Sequence, residues 1–249
     1  MVMLVVAFVL VVLGLGTVLF LGRIIKKGVE TAGPKVAKVE IKLNRATVSL
    51  LSGRGALKGL VVGNPTGFKT PYAIKVGRAS VALRPSSIFA DKIVVQSVDV
   101  QSPEITFEGS LKGNNLGKIK ENIQQFTAAE KSAPAEPKKE AGKKMQIDDL
   151  AVTGGKIHLS MTVLGGKSLS VPLPDIHLTG LGKDTGGITA GEMVEKLFGS
   201  IFDNTLKAVT DALGKVGKEA AEAAKDVGKA AARQAEKATK RIGDLLKKK

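Results

Sequence analysis

The sequence predicts a mainly β protein of the α+β class, with an apolar helix first, an antiparallel sheet next and a long amphipathic helix last. Three observations lead to this prediction. Residues 2–22 carry no charge, short alternating apolar runs follow, separated by Gly, Pro, Asn and Ser, and residues 189–249 show helical periodicity. No helix alternates with the strand runs, so we expect antiparallel pairing throughout, because parallel pairs need long crossovers.

The apolar run at residues 2–22 predicts a single-pass membrane anchor, assigned to residues 1–22. A helix of this length, at about 1.5 Å per residue, reaches across the roughly 30 Å hydrocarbon core of a bilayer. A cleaved signal peptide is the alternative. Such peptides have a shorter apolar region, a basic start and a cleavage site of small residues, and none of these features is visible here.

Strand patterns occupy two regions. Residues 23–126 form the first, which closes with a short amphipathic helix at 115–128, and residues 145–188 continue the sheet, with Gly165-Gly166 as a hairpin turn. Between them, residues 127–144 are rich in Lys, Glu, Ala and Pro and are expected to be a flexible linker. The predicted strands are 39–43, 46–51, 57–62, 73–83, 93–100, 105–107, 146–153, 156–164, 167–173 and 176–181.

The last region, residues 189–249, is predicted to be a basic amphipathic helix. Thr189 and Glu192 have the spacing of a capping box. Residues 212–249 contain eleven basic and five acidic side chains, a net charge of +6. Several glycines interrupt the pattern, so we expect helix only in the bound state. The basic side chains proposed to meet an anionic membrane or an acidic protein partner are Lys225, Lys229, Arg233, Lys237, Lys240 and Arg241.

Charge and composition restrict the partners. The net charge is +15, all of it outside the apolar run, so anionic surfaces are the natural partners. Nucleic acid is not expected, because the chain has no Trp and one Tyr and offers few platforms for base stacking. The absence of Cys excludes disulfides, thiolate metal sites and Cys nucleophiles.

No motif predicts an enzyme, and we expect no catalytic residue, cofactor or metal. The glycines at 53, 55 and 59 lack the dinucleotide-binding spacing and are read as turn glycines, and the GNNLGK segment lacks the Walker A spacing and is read as a helix entry. His158 and His177 are interpreted as ordinary sheet residues. The Asn64-Pro65-Thr66-Gly67 segment is predicted to be a turn.

Two blocks of sequence carry a resemblance to a known family. The first contains LLSGRGALKGLVVGNPTGF and then RPSSIFADKIVVQSVDVQSPEITFEGSLKGNNLGKI, and the second is IDDLAVTGGKIHLSMTVLGGKSLSVPLPDIHLTGLGKDTGGITAGEMVEKL. Both blocks resemble segments of bacterial AsmA-like envelope proteins, and the chain is similar to a short member of that family. The blocks cover roughly half the chain. The resemblance implies an inner-membrane anchor, a curved sheet with an apolar concave face in the periplasm, and a role in envelope lipid transport or homeostasis.

The resulting hypothesis is that the apolar strand face binds or transfers phospholipid acyl chains. Arg23, Lys26 and Lys27 follow the apolar run and favour a cytoplasmic domain, but large domains can translocate against such a bias, so we follow the resemblance and expect the periplasm. The alternative is a structural protein whose basic tail docks on an anionic membrane or acidic partner. The proposed groove residues are Val39, Ile41, Leu43, Val48, Leu50, Leu60, Val62, Ile93, Val95, Ile105 and Phe107.

Overall fold

The computed structural model describes residues 21–132, 143–161 and 169–246. Its fold is α+β, with one mixed sheet and three long helices in the described ranges. The chain divides into two compact units, Met1–Ala208 and Val209–Lys249. The first unit holds the sheet, and the second is the C-terminal part of the last helix.

The elements follow one another in a simple order. Helix α1 covers residues 21–37. The others are β1 (Ile41–Val48), β2 (Arg54–Val62), β3 (Ile74–Leu83), a 3-10 helix (Pro85–Phe89), β4 (Lys92–Gln101), β5 (Glu104–Glu108), α2 (Asn115–Ser132), β6 (Lys144–Thr153), β7 (Lys156–Ser160), β8 (Leu169–Pro172), β9 (Ile176–Leu181) and α3 (Ala190–Leu246).

The sheet is mixed, so the prediction of a wholly antiparallel sheet was wrong. Strands β1 to β4 form an antiparallel meander, as expected, but β4 pairs parallel with β6 and β5 pairs parallel with β7. Parallel pairing needs a long crossover. Residues 109–143, which include α2, supply it.

Three pairs of short strands each act as one long strand. We use the word ribbon for each such pair and also for each of the single strands β1, β2 and β3. β4 and β5 pair with β3 in a single register as far as Ala82, since Arg78 faces Gln101 and Lys75 faces Glu104, and the register shifts only at Leu83. The β6–β7 ribbon keeps one parallel register against β4–β5, and β8–β9 keeps one antiparallel register against β6–β7. The sheet therefore contains six long ribbons: β1, β2, β3, β4–β5, β6–β7 and β8–β9.

The regular pairing of all six ribbons is interrupted along one transverse line, which we call the crease, although β1, β2 and β3 continue through it as strands. Gly59 lies opposite Asn44 and Gly77, because its neighbour Lys58 pairs with both flanking strands in register. The same register places Ser102 next to Gly77. The backbone of Gly59, Ser102 and Gly154 is left-handed there, with φ of 64°, 49° and 63°. In order across the sheet, the crease residues are Asn44, Gly59, Gly77, Ser102, Gly154 and Pro174.

Helix α1 lies along the free edge of β1. The sequence predicted a first strand at residues 39–43 and no element at residues 23–38, where the structure has helix as far as residue 37. The Glu30 carboxylate accepts a hydrogen bond from Leu43 N at 2.9 Å, Lys26 donates to Leu43 O, and the two side chains pair at 2.6 Å. The Leu43 amide and then Lys26 hold the pKa of Glu30 below its ordinary value. This clip satisfies edge groups that would otherwise be free to pair with another strand.

The two later helices begin at the predicted positions. Glu192 N donates to Thr189 Oγ1 at 3.2 Å and Thr189 N donates to Glu192 Oε2 at 3.0 Å, which confirms the capping box. Asn114 Oδ1 accepts from Gly117 N at 2.7 Å and confirms the helix entry in GNNLGK. Helix α3 continues through its glycines to Leu246.

Some predictions fall wholly or partly outside the described residues. Helix α2 extends to Ser132, so the first part of the predicted linker at 127–144 is helical, while residues 133–142 lie outside. The Gly165-Gly166 turn also lies outside, although β7 and β8 pair as a hairpin requires. Within the described ranges no helix is both long and apolar enough to cross a bilayer. The run that predicted an anchor lies outside them, except for residues 21 and 22.

Candidate functional site: an apolar groove

One face of the sheet, the groove face, carries a cavity of about 300 Å³ within the first unit. Every residue that lines it is apolar. Its floor is formed by β2, β3, β4, β5, β6 and β9, and its roof by the first turns of α3. Its volume is at the lower end of the roughly 300–1,000 Å³ typical of small-molecule sites.

The crease explains how so many apolar side chains reach one face. Successive residues of a regular strand alternate between faces, yet Leu57 and Leu60, three positions apart, both line the cavity. Val76 and Ala79 do the same on β3. Gly59 lies between the first pair and its left-handed backbone resets the alternation. The groove therefore extends without a break across both sides of the crease.

The roof comes from one face of α3. Val194, Leu197, Phe198 and Ile201 follow helical spacing and point to the sheet. Phe198 is buried, while Val194 is 39% exposed. The capping box fixes where this helix begins and therefore which of its side chains meet the sheet.

The groove is not sealed by the protein's own side chains. Leu57, Leu60 and Val62 on β2 remain half-buried, and so do Val98 and Val100 on β4. Large apolar surface that stays in contact with water marks a binding site more often than a packed core. Since no polar atom lines the cavity, it offers no hydrogen bond to a ligand.

The predicted groove residues are divided between the cavity, the packed core and the surface. Leu60, Val62 and Ile105 line the cavity. Val39, Leu43, Val95 and Phe107 are buried in the core, and Ile41, Val48 and Ile93 are half-buried outside the cavity. Leu50 lies in the turn after β1 and is 37% exposed.

Sequence reasoning missed much of the floor and the whole roof. Leu150, Val152 and Leu178 belong to the second strand region and were not proposed. A usable signal was present, because the pattern IVVQSVDVQSPEITF returns 52 positions later as MQIDDLAVTGGKIHL, and these segments pair in parallel at that offset. An internal repeat of this kind predicts equivalent faces for its two copies.

The GNPTGF and GNNL motifs meet at the end of the sheet where β2 and β5 end, and their side chains form a hydrogen-bonded network that we call the polar lock. Asn115 is fully buried; its Nδ2 donates to Asn64 Oδ1 and to Thr106 O, both at 2.8 Å, and its Oδ1 accepts from Glu108 N at 3.0 Å. Glu108 in turn accepts from the backbone of Lys69 and Thr70. The lock ties the turn after β2 to β5 and α2, so these motif residues are structural.

The predicted turn at Asn64-Pro65-Thr66-Gly67 is confirmed. Phe68 N donates to Pro65 O at 3.3 Å, and Gly67 has φ of 100°. Of the glycines read as turn residues, Gly53 lies in a turn, but Gly55 and Gly59 lie inside β2. The interpretation of those two was wrong. Gly59 is a crease residue with left-handed backbone, and a Cβ on Gly55 would lie 2.9 Å from Thr47 O of the neighbouring strand.

The two histidines lie on the exposed side of the sheet in separate polar pairs. His158 Nδ1 is 2.8 Å from Ser170 Oγ, and His177 Nε2 is 2.5 Å from Asp149 Oδ1. Among the described residues there is no group of three His, Asp or Glu side chains that could hold a metal ion. The histidines occupy strand positions, as interpreted from the sequence.

A larger, polar cleft of about 760 Å³ lies between α2 and the start of α3. Four of its charged side chains form ion pairs across the cleft: Lys120 lies 2.9 Å from Asp203 and Lys131 lies 3.2 Å from Glu192. These ion pairs join the two helices, which makes the cleft a helix contact and leaves the apolar groove as the candidate site.

The six predicted basic tail residues all lie on helical backbone of α3, in the second unit. Of these, only Lys225 has a described side chain, and it is exposed. The predicted surface of the other five falls outside the described side chains.

Comparison with known proteins adds no relative. No protein-family model, no curated protein and no solved structure matches this chain.

Proposed function

We propose that this protein binds a lipid acyl chain in the apolar groove and holds or transfers it beside a membrane, without covalent chemistry. The observation that carries the proposal is a half-open cavity of about 300 Å³ lined by apolar side chains alone. A ligand that matches such a wall has no hydrogen-bonding group in the part that enters, and hydrocarbon chains meet this condition.

The energetics support hydrocarbon as the ligand. Each methylene that leaves water for an apolar wall contributes about 0.8 kcal/mol, so eight methylenes supply about 6 kcal/mol before the cost of ordering the chain. A polar ligand would instead lose its hydrogen bonds to water without replacement, at a cost of about 1–3 kcal/mol per group.

The proposed function would be carried out in a bacterial cell envelope. The AsmA-like resemblance supports an inner-membrane protein with most of its chain in the periplasm and a role in lipid homeostasis. The apolar run at residues 2–22 supports a single-pass anchor. An anchored carrier samples the lipids of one bilayer, which suits a groove that takes a single chain.

Site-specific photocrosslinking tests the proposal in the full-length chain. A benzophenone amino acid at Val100 faces the groove, whereas the same residue at Gln101 is exposed on the opposite face of the same strand. We expect lipid adducts by mass spectrometry at position 100 and not at 101. If both positions give equal lipid adducts or none, the groove does not bind lipid.

A second function is favoured by the division of the chain at Ala208. The separate C-terminal helical unit carries the net charge of +6 between residues 212 and 249, and in this case the protein docks on an anionic membrane or an acidic partner through its tail. Salt would abolish such docking, while acyl capture in the groove would persist. Deletion of residues 212–249 separates the two functions.

A further inference from the structure

We infer that one end of the sheet inserts into the surface of a bilayer that contains anionic phospholipid. This end is formed by the turn between β1 and β2 and by the 3-10 helix after β3, and its apolar residues, Leu50, Leu51 and Phe89, are called the tip patch. The inference does not depend on the acyl-chain groove.

The tip patch is exposed to an unusual degree. Leu51 is 97% exposed and Phe89 is 86% exposed, the highest values among the large apolar side chains that the structure describes. Leu50 adds a partly exposed side chain beside them. A single exposed Leu needs no explanation, but bulky apolar side chains grouped at one end of a sheet mark a contact surface.

The turn and the 3-10 helix belong to the same end of the sheet. Leu83 N donates to Gly53 O at 2.6 Å, which joins the end of β3 to the turn. A Cβ on Gly53 would lie 3.1 Å from the ring of Pro85, so the turn and the start of the 3-10 helix are in contact. The residues of the patch therefore project from one continuous surface.

Basic side chains surround this surface. Arg54 and Arg84 are exposed next to the turn and the 3-10 helix, and Lys143 Nζ donates to Ile88 O at 2.6 Å. Where β4 pairs parallel with β6, which we call the parallel seam, the backbone of Lys92 lies opposite that of Lys144. In the described residues none of these five forms an ion pair. Asp91 is the single acidic residue between positions 49 and 92.

The apolar run of the sequence leads to this same end. A Cβ on Gly22 would meet Ala46 O, near the end of β1, whereas one on Gly33 would meet Ile41 at the start of β1. Helix α1 therefore runs antiparallel to β1, and its residue 22 lies toward the β1–β2 turn. An anchor at residues 2–22 would hold the tip patch at the level of the headgroups.

A bilayer surface fits these features together. Its interface accepts isolated Leu and Phe side chains, and anionic headgroups attract the Lys and Arg around them, at about 1 kcal/mol per basic residue. The chain contains no Cys, so one introduced thiol reports from one place only.

Fluorescence of single-cysteine variants tests the inference in the full-length chain. The variants Leu51→Cys and Phe89→Cys, labelled with an environment-sensitive dye, are reconstituted in vesicles of phosphatidylcholine with phosphatidylglycerol. The control is Thr66→Cys, an exposed position in the turn at the opposite end of β2. We expect a blue shift and quenching by brominated acyl chains at positions 51 and 89 and neither effect at 66.

Other outcomes overturn the inference. Solvent-like emission at 51 and 89 would show that the patch does not enter the bilayer, a blue shift without quenching would indicate a protein contact, and equal quenching at 66 would show no preferred end. Replacement of phosphatidylglycerol by phosphatidylcholine should reduce the quenching by at least half. Val100→Asp, placed in the groove, should leave it unchanged, so failure of the groove and failure of the patch are distinguishable.

Discussion

Asn115 Nδ2 lies 2.8 Å from Asn64 Oδ1, although the two residues are 51 positions apart in the chain. Asn115 is fully buried at the start of α2, and Asn64 begins the turn that follows β2. This contact joins two sequence motifs, GNPTGF and GNNL, and their shared role is to close one end of the sheet.

Replacement of Asn115 by Ala should destabilise the protein by about 3 kcal/mol. The change leaves Thr106 O, Glu108 N and Asn64 Oδ1 without this partner, and an unsatisfied buried polar group costs about 1–3 kcal/mol. The measurement is the free energy of unfolding in urea. Asn114→Ala is the matched control, because it removes the helix cap to Gly117 N and the hydrogen bond from Asn114 Nδ2 to Ser110 O, and it should cost about 1–2 kcal/mol. Equal losses for both variants would contradict the lock.

The lock should loosen at low pH. Burial opposes ionisation of Glu108, but hydrogen bonds from the Thr70 hydroxyl and from the amides of Lys69 and Thr70 outweigh it and lower its pKa below the ordinary 4.5. A lowered pKa stabilises the folded state above pH 4.5, and this contribution is lost as pH falls from there through the folded-state pKa. The protection of the Lys69 and Thr70 amides, measured as the exchange rate relative to the intrinsic rate at each pH, should then fall, and Glu108→Gln should remove this pH-dependent loss of protection.

A charge in the groove should abolish acyl binding while the fold persists. Val100→Asp places a carboxylate on the half-open apolar wall, where a bound hydrocarbon chain would strip its water, so affinity for a fluorescent fatty acyl probe should fall at least tenfold. Gln101→Asp puts the same charge on the opposite face of the strand. Similar affinities for the two variants would mean that the probe binds elsewhere.

The crease can be tested at its glycines. Gly59→Ala forces a left-handed backbone on Ala, at about 1–2 kcal/mol, and its Cβ would lie 2.8 Å from Asn44 Cβ. We expect a loss of about 2 kcal/mol in stability. Gly77 occupies the adjacent crease position with open space around it, so Gly77→Ala should be neutral or stabilise by up to about 1 kcal/mol. A neutral Gly59→Ala would show that the crease tolerates a side chain.

Helix α1 should protect the edge of β1. Glu30→Ala removes the acceptor for Leu43 N, and we expect faster hydrogen exchange at that amide. Glu40→Ala is a suitable control, since Glu40 pairs with Lys42 on the exposed surface at 2.9 Å. Unchanged exchange at Leu43 in Glu30→Ala would argue against the clip.

Local patterns predicted the local structure well. Turn chemistry and alternation predicted the strands of the meander, and the spacing of Thr189 and Glu192 predicted the start of α3. The parallel seam escaped prediction because it joins segments 52 positions apart, and strand patterns carry no direction. Helix α1 was missed because its residues after position 22 were considered only for the charge of Arg23, Lys26 and Lys27 and not for helical periodicity.

The sequence predicted an apolar groove, but most of the residues proposed to line it lie elsewhere. Alternation identified Leu60, Val62 and Ile105, which line the cavity. It failed beyond the crease, because the left-handed backbone at Gly59 places Leu57 on the same face as Leu60. Leu43 and Phe107 lie in the core, and one sequence cannot tell a packed apolar face from an open one.

The crease also acts as an alignment mark between neighbouring ribbons. If β2 slipped by one residue against β3, Gly59 would no longer face Gly77, and the irregular positions of the two strands would no longer coincide. Such a slip would break the hydrogen-bonded ladder in addition to turning the apolar side chains outward. The correct pairing of the six ribbons is therefore the one in which all six crease residues lie on one line across the sheet.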